Sequence, residues 1–213
     1  MKKELRYIAI EGVIGAGKTT LAKKLSEKLN ARLICEEFEL NPFLSKFYED
    51  ISRYAFQTQI FFLLSRYKQQ QTLHQVDLFH NLIISDYIFE KDKIFAYLNL
   101  QDDELKLYEN LISTIEKNIP QPDLVIYLQS NIERLMFNIR LRERSYENNI
   151  TQSYIENLNE AYNHFFFRFK TSPLLIINST EIDFVNNDKD FENLCDVIFR
   201  ERKSAIEYYN PIK

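Results

Sequence analysis

Glycine is nearly absent from this chain. There are three in 213 residues, and Gly12, Gly15 and Gly17 fall within six consecutive positions. Turns elsewhere are left to asparagine and other residues, so whatever needs bare backbone is confined to "EGVIGAGKTT", positions 11–20. Tryptophan is missing altogether. The two cysteines, Cys35 and Cys195, belong to no CxxC pair. That excludes a disulfide scaffold, and both thiols read as reduced and buried in a cytosolic, hence cytoplasmic, protein. His74, His80 and His164 have no metal-ligand spacing. No run approaches about 18 apolar residues, and "MKKELRYIAIEG" lacks the apolar stretch of a signal peptide, so neither a membrane span nor an export leader is expected. A net charge of −4 argues against a nucleic-acid or membrane surface, both of which need a basic face. No repeat, Pro-rich linker or block of like charge divides the chain, so residues 1–213 read as one domain.

What the chain does have is aromatic and β-branched residues. Thirteen Tyr and seventeen Phe predict an aromatic-rich interior. Short apolar runs, "RYIAIEG", "ARLIC", "NLIISD", "DLVIYLQ" and "PLLIIN", read as strands of the continuous kind that lie buried in a parallel sheet. Between them come helical patterns at Lys18–Leu29, from Arg53 to about Gln75, Asn131–Arg140 and Thr151–Lys170, with a last one near Phe191–Arg202. Alternation of this kind predicts an α/β fold: a five-stranded parallel sheet with helices on both faces and ligands at the C-terminal strand ends.

The glycines now have a physical reason. Gly12, Gly17, Lys18 and Thr19 match G-x-x-x-x-G-K-[ST], the P-loop, between a strand and a helix as that loop requires. A loop that wraps a phosphate points successive N–H groups inward, which needs unusual dihedrals and no Cβ in the way. The expected nucleoside triphosphate site is Gly12, Val13, Ile14, Gly15, Ala16, Gly17, Lys18, Thr19 and Thr20. The helix N-terminus and Lys18 face the phosphates, and the Thr19 hydroxyl is placed for Mg²⁺.

A P-loop does not name the reaction. A GTPase switch needs a further glycine in D-x-x-G, and none remains; "NNDKD" is no base-reading N-K-x-D. A small chain with a basic lid fits a small-molecule kinase better. "RLRERSYE" supplies Arg140, Arg142 and Arg144. On a continuous helix two residues turn about 200°, so the three converge on a phosphoryl group only if the segment unwinds. A lid near positions 140–150 follows.

In order along the chain, "IEGVIGAGKTT", "CEEFELNPFLSKFYED", "FQTQIFFLLSRY", "SDYIFEKDKIFA", "PDLVIYLQ" and "RLRERSYE" resemble the deoxyribonucleoside kinase family, in its bacterial deoxyadenosine/deoxyguanosine form. The resemblance implies a P-loop kinase fold and 5′-phosphorylation of a deoxynucleoside by ATP with Mg²⁺ in nucleotide salvage. A purine is indicated: deoxyadenosine first, deoxyguanosine next, deoxycytidine third. It also implies a homodimer through long helices. Glu36 is the implied general base, with Glu37 the alternative. Tyr48, Gln59, Arg66 and Asp92 match the substrate pocket, and Gln57 competes with Gln59. Arg66 is placed to pair with Asp92, Phe95 to stack on the base, and Tyr48 with Glu147 to hold the sugar 3′-hydroxyl. Asp86 is the implied second Mg²⁺ residue beside Thr19. One departure stands out: Tyr87 occupies the place of a family arginine that neutralises charge at the 5′-oxygen. Arg140, Arg142 and Lys91 are the candidates to replace it. Two alternatives remain open, a thymidylate-type nucleoside monophosphate kinase and an ATP-binding regulatory module without turnover.

Overall fold

β1 (Tyr7–Gly12) is buried at all six positions. Successive residues of a strand face opposite sides of a sheet, so both faces here are covered. In the computed structural model, which describes residues 5–74 and 79–211, this strand lies in the middle of a parallel sheet. Beside it are β2 (Arg32–Ile34), β3 (Ile83–Ser85), β4 (Leu124–Gln129), β5 (Leu174–Asn178) and β6 (Ile206–Tyr209), in the order β2-β3-β1-β4-β5-β6. All neighbours pair in parallel.

Among the described residues the sheet therefore has six strands, not the expected five. β6 escapes a search for continuous apolar runs because it is an edge strand with residues alternating between exposed and half-buried, so it shows no buried stretch.

α1 (Lys18–Leu29) buries Leu21, Ala22, Leu25 and Ser26 and ends where Asn30 turns left-handed at φ 48°. α2 (Leu44–Glu49) is short. α3 (Ile51–Gln71) begins at Asp50, whose carboxylate accepts from Arg53 N, and continues as a 3₁₀ turn to His74. The expected end near Gln75 lies outside the described residues. α4 (Lys91–Asn99) and α5 (Asp102–Ile115) were not anticipated as helices. α6 (Ile132–Leu141), α7 (Gln152–Phe167) and α8 (Asp188–Phe199) start from the side-chain caps Asn131, Thr151 and Asn187. The last runs three residues N-terminal of its expected span because Asn187 opens it.

Aromatics do fill the interior. Tyr87, Tyr108, Tyr127, Tyr162 and Phe166 are the bulkiest fully buried side chains, and Tyr127 stacks on Phe166 with ring centroids 4.2 Å apart. Both thiols are free, Cys195 buried but Cys35 only half-buried. Among the described residues no helix is long and apolar enough to cross a membrane.

Candidate active site

Strand order decides where the chemistry gathers. β2, β3 and β1 are neighbours, with Ile34 opposite Ser85 and Ser85 opposite Ala9. The chain leaves their C-terminal ends at Glu36, Asp86 and the glycine loop, so the three points meet at one edge of the sheet. α2, α3, α4 and the arginine segment after α6 enclose a cavity over that edge.

The glycine loop is held from several sides. Asn138 of α6 donates through Nδ2 to Gly15 O at 2.7 Å, and Ala16 N donates to Val13 O at 3.0 Å. A Cβ on Gly12 would come within 2.7 Å of Leu128 O, so β4 leaves no room for a side chain there. Lys18 Nζ donates to Gly12 O at 2.8 Å and Val13 O at 3.1 Å. Burial, and then the nearby ammonium of Lys91, push its pKa down to about 8. Val13, Gly15 and Ala16 are buried, and Ile14, Gly17 and Thr19 are half-buried. Thr20 is exposed.

Glu11 was missed from the sequence. It is 0% exposed, and its carboxylate accepts from Gly12 N at 2.9 Å and Ile88 N at 3.1 Å, tying the glycine loop to the chain beyond β3. Burial raises its pKa against the opposing pull of Lys91 and Lys18. The signal was a carboxylate closing a wholly apolar strand.

Asp86 joins two partners. Its Oδ2 accepts from the Thr19 hydroxyl at 2.5 Å and its Oδ1 from Glu36 N at 2.8 Å. Glu36 then faces the cavity while Glu37 is exposed. Arg66 Nε donates to Glu36 Oε1 at 2.8 Å, and Lys91 Nζ lies 2.6 Å from Oε2. Burial by itself would raise the Glu36 pKa. The attraction of Lys91 and Arg66 outweighs it and holds the carboxyl well below its usual range.

Arg66 reaches the other way to Asp92 Oδ1, the pair expected from the sequence. Gln59, two turns earlier on the same face of α3, donates to the Asp92 backbone carbonyl at 2.8 Å and lines the cavity; Gln57 is exposed. A long helix that buries Gln59, Arg66 and Gln70 alongside Leu63 turns a polar face inward, which is why α3 shows little amphipathic contrast. Phe95 lines the same cavity and meets Tyr162 edge-on, while Phe62 lies under the Arg66 guanidinium at 5.0 Å.

After α6 the chain unwinds. Glu143 turns left-handed at φ 50°, and Arg142 and Arg144 both point to Glu147, at 3.9 Å and 3.2 Å. Arg144 also stacks over Phe38 at 4.4 Å. Glu147 is buried, with Oε2 free of any hydrogen bond among the described residues. Tyr48 lines the cavity beside it, its hydroxyl pKa raised by burial and then by Tyr154 and Glu147. Arg140, in the last turn of α6, is exposed and outside the cavity, so the segment gathers two arginines rather than three. Tyr87 is 0% exposed and turned to α3, where its hydroxyl donates to Gln69 Oε1 at 2.9 Å.

A family profile described as deoxynucleoside kinase matches residues 8–202. The chain belongs to the deoxynucleoside kinase family. Like its relatives, this kinase is an ATP-dependent phosphotransferase acting on deoxynucleosides. It is 36% identical to a deoxyguanosine kinase of Bacillus subtilis, over 89% of this chain and 94% of that one. It is 31% identical to a deoxyadenosine/deoxycytidine kinase of the same organism, over 90% of each. Among solved structures it is similar to deoxyadenosine kinase from M. mycoides with bound dATP, at TM-score 0.79 and 26% identity, covering 91% of this chain and 98% of that one.

Proposed function

We propose that this kinase transfers the γ-phosphoryl of ATP to the 5′-hydroxyl of a purine deoxynucleoside, deoxyadenosine before deoxyguanosine, with deoxycytidine third. One observation carries the reading: an ionised Glu36 at the cavity end nearest Lys18 and Thr19, held from behind by Arg66 and Lys91. A carboxylate there accepts a hydrogen bond from a neutral alcohol but repels a phosphate, which disfavours a monophosphate kinase. An idle ATP-binding module has no use for it.

In this mechanism the glycine loop and Lys18 hold the β- and γ-phosphates. Glu36 orients the 5′-hydroxyl and takes its proton as the new P–O bond forms and the bond between the γ-phosphorus and the β,γ-bridging oxygen breaks, releasing ADP. A carboxyl with so low a pKa is a weak base, so most of its contribution is positioning, as phosphoryl transfer demands. Arg142 and Arg144 bring positive charge over the transferring group. Glu147 and Tyr48 face the sugar 3′-hydroxyl, and Gln59 and Arg66 face the base with Phe95 against its ring. Thr19 and Asp86 offer adjoining oxygens beside Lys18, the few hard donors that suffice for Mg²⁺ completed by phosphate and water. Bound there, the ion would supply positive charge to the phosphates. A cytoplasmic homodimer with small-molecule partners alone belongs to the same reading, as does the single domain.

The test is a panel. Labelled ATP and Mg²⁺ are incubated with each deoxynucleoside and each deoxynucleoside monophosphate, for the wild type and Glu36→Gln. Label should pass to deoxyadenosine most rapidly, and the variant should lose about 10²–10⁴ in kcat while still binding nucleoside. Label passing only to monophosphates, or undiminished turnover in Glu36→Gln, overturns the reading.

A further inference from the structure

Lys91 breaks two local rules at once. It is the first residue of α4, where the helix dipole disfavours a cation, and it is 4% exposed, where a lysine is almost never found without a partner. Lys93, two residues on, shows the ordinary alternative: a part-exposed ammonium paired with Glu116. A residue that goes against its own helix is placed there by something else. Its Nζ lies 2.6 Å from Glu36 Oε2 and lines the cavity, 5.8 Å from the centre of the Phe95 ring. Tyr87 cannot do this work, since its side chain is wholly buried against Gln69.

We propose that Lys91 is the positioning residue that replaces the absent arginine: from α4 it fixes and charges the outer oxygen of Glu36 and adds positive charge beside Lys18. This rests on Glu36 acting on the acceptor hydroxyl. The two oxygens of Glu36 then have separate holders. Arg66 takes Oε1 and is itself fixed by Asp92, so it belongs to the base end of the cavity. Lys91 takes Oε2, belongs to the phosphate end, and is the nearest cation to Lys18 in electrostatic effect. Lys91 from α4 and Arg66 from α3 hold the Glu36 carboxylate, Asp86 beyond β3 holds its backbone N, and Lys18, Glu11, Tyr48, Tyr87 and Tyr162 lie within reach of its charge. Among the described residues only Lys91 and Arg66 pair directly with its carboxylate.

The experiment compares Lys91→Met, Lys91→Gln and Lys91→Arg with the wild type in kcat and in KM for both substrates. Arg66 still pairs with Glu36 in each variant, so no carboxylate is left buried and alone. Lys91→Met should lose about 10²-fold in kcat with KM for the nucleoside little changed. Lys91→Gln should show the same loss, while Lys91→Arg, which keeps the charge, should restore much of kcat. Combined with Glu36→Gln, Lys91→Met should add little, since both act through one carboxylate. Lys91→Met turning over within about threefold of wild type, Lys91→Arg no more active than Lys91→Met, or a fully additive double variant, overturns the inference. Near-normal turnover in Glu36→Gln alone is a different failure, that of the base assignment itself.

Discussion

The Thr19 hydroxyl meets Asp86 Oδ2 at 2.5 Å, joining residues 67 apart in sequence across the adjacent ends of β1 and β3. The same carboxylate holds Glu36 N through its other oxygen, so one side chain fixes both the proposed metal position and the proposed base.

Asparagine at position 86 separates charge from geometry. In Asp86→Asn the amide oxygen still accepts from Glu36 N, and the amide nitrogen donates to the Thr19 oxygen, which reverses its hydroxyl. The fold should survive, with a melting temperature near that of the wild type. What is lost is the negative charge beside Mg²⁺. We expect the Mg²⁺ concentration for half-maximal rate to rise and kcat to fall by about 10–100-fold, read from Mg²⁺ titrations of initial rate. Unchanged Mg²⁺ dependence would remove Asp86 from the metal site.

The glycines differ in what a methyl group would meet. A Cβ on Gly17, at φ 91°, comes within 2.8 Å of the tip of the Phe184 ring, which can swing aside. A Cβ on Gly15, at φ 90°, comes within 2.6 Å of the Leu135 backbone carbonyl, which cannot move without α6. Both variants carry the backbone strain of a side chain at positive φ, about 1–3 kcal/mol. Gly15→Ala should therefore be the more destabilised of the two in urea unfolding. It should also weaken ATP binding more, since the displaced helix carries Asn138, the anchor of the loop. The reverse order would show that the ring is the more rigid neighbour.

How much of this was legible in the sequence depended on whether a residue's neighbours were local. The glycine loop is one contiguous stretch between a strand and a helix, and its role followed from spacing alone. Gln59 and Arg66 lie seven apart on one helix, so a shared face was readable, as was the pairing of Arg66 with Asp92 from the resemblance. Glu36 was preferred to Glu37 on its spacing to Asn41-Pro42, but local sequence could not show which of the two turns inward, because the bend after a three-residue strand is set by Asp86, fifty residues on. Arg140 looked equivalent to its neighbours until the chain's turn at Glu143 left it on the helix. Lys91 could be named only as one of three candidates, and Glu11 was not singled out at all, for a common reason. Each is a charge in a place where local rules forbid one, and its partner is supplied only when β1, β2, β3 and α4 come together.

The last prediction concerns Lys18 and pH. Burial, followed by the repulsion of Lys91, brings its pKa down to about 8, so the ammonium begins to lose its proton at a pH where ordinary lysines, near about 10.4, keep theirs. Triphosphate binding opposes both causes: the phosphate oxygens replace lost solvation and supply the countercharge, which raises the pKa in the complex. A group whose pKa is higher in the bound state than in the free state takes up a proton on binding. Affinity must then fall as pH rises through the free-state value. We expect the dissociation constant for a non-hydrolysable ATP analogue to be flat from pH 7 to just below about 8 and to weaken above it, by up to about tenfold per unit. Lys18→Gln should bind more weakly at neutral pH and lose the dependence. A wild-type affinity unchanged between pH 7 and 9.5 would mean that the ammonium is no harder to keep in the free protein than in the complex. Its position over the Gly12 and Val13 carbonyls would then already compensate for burial.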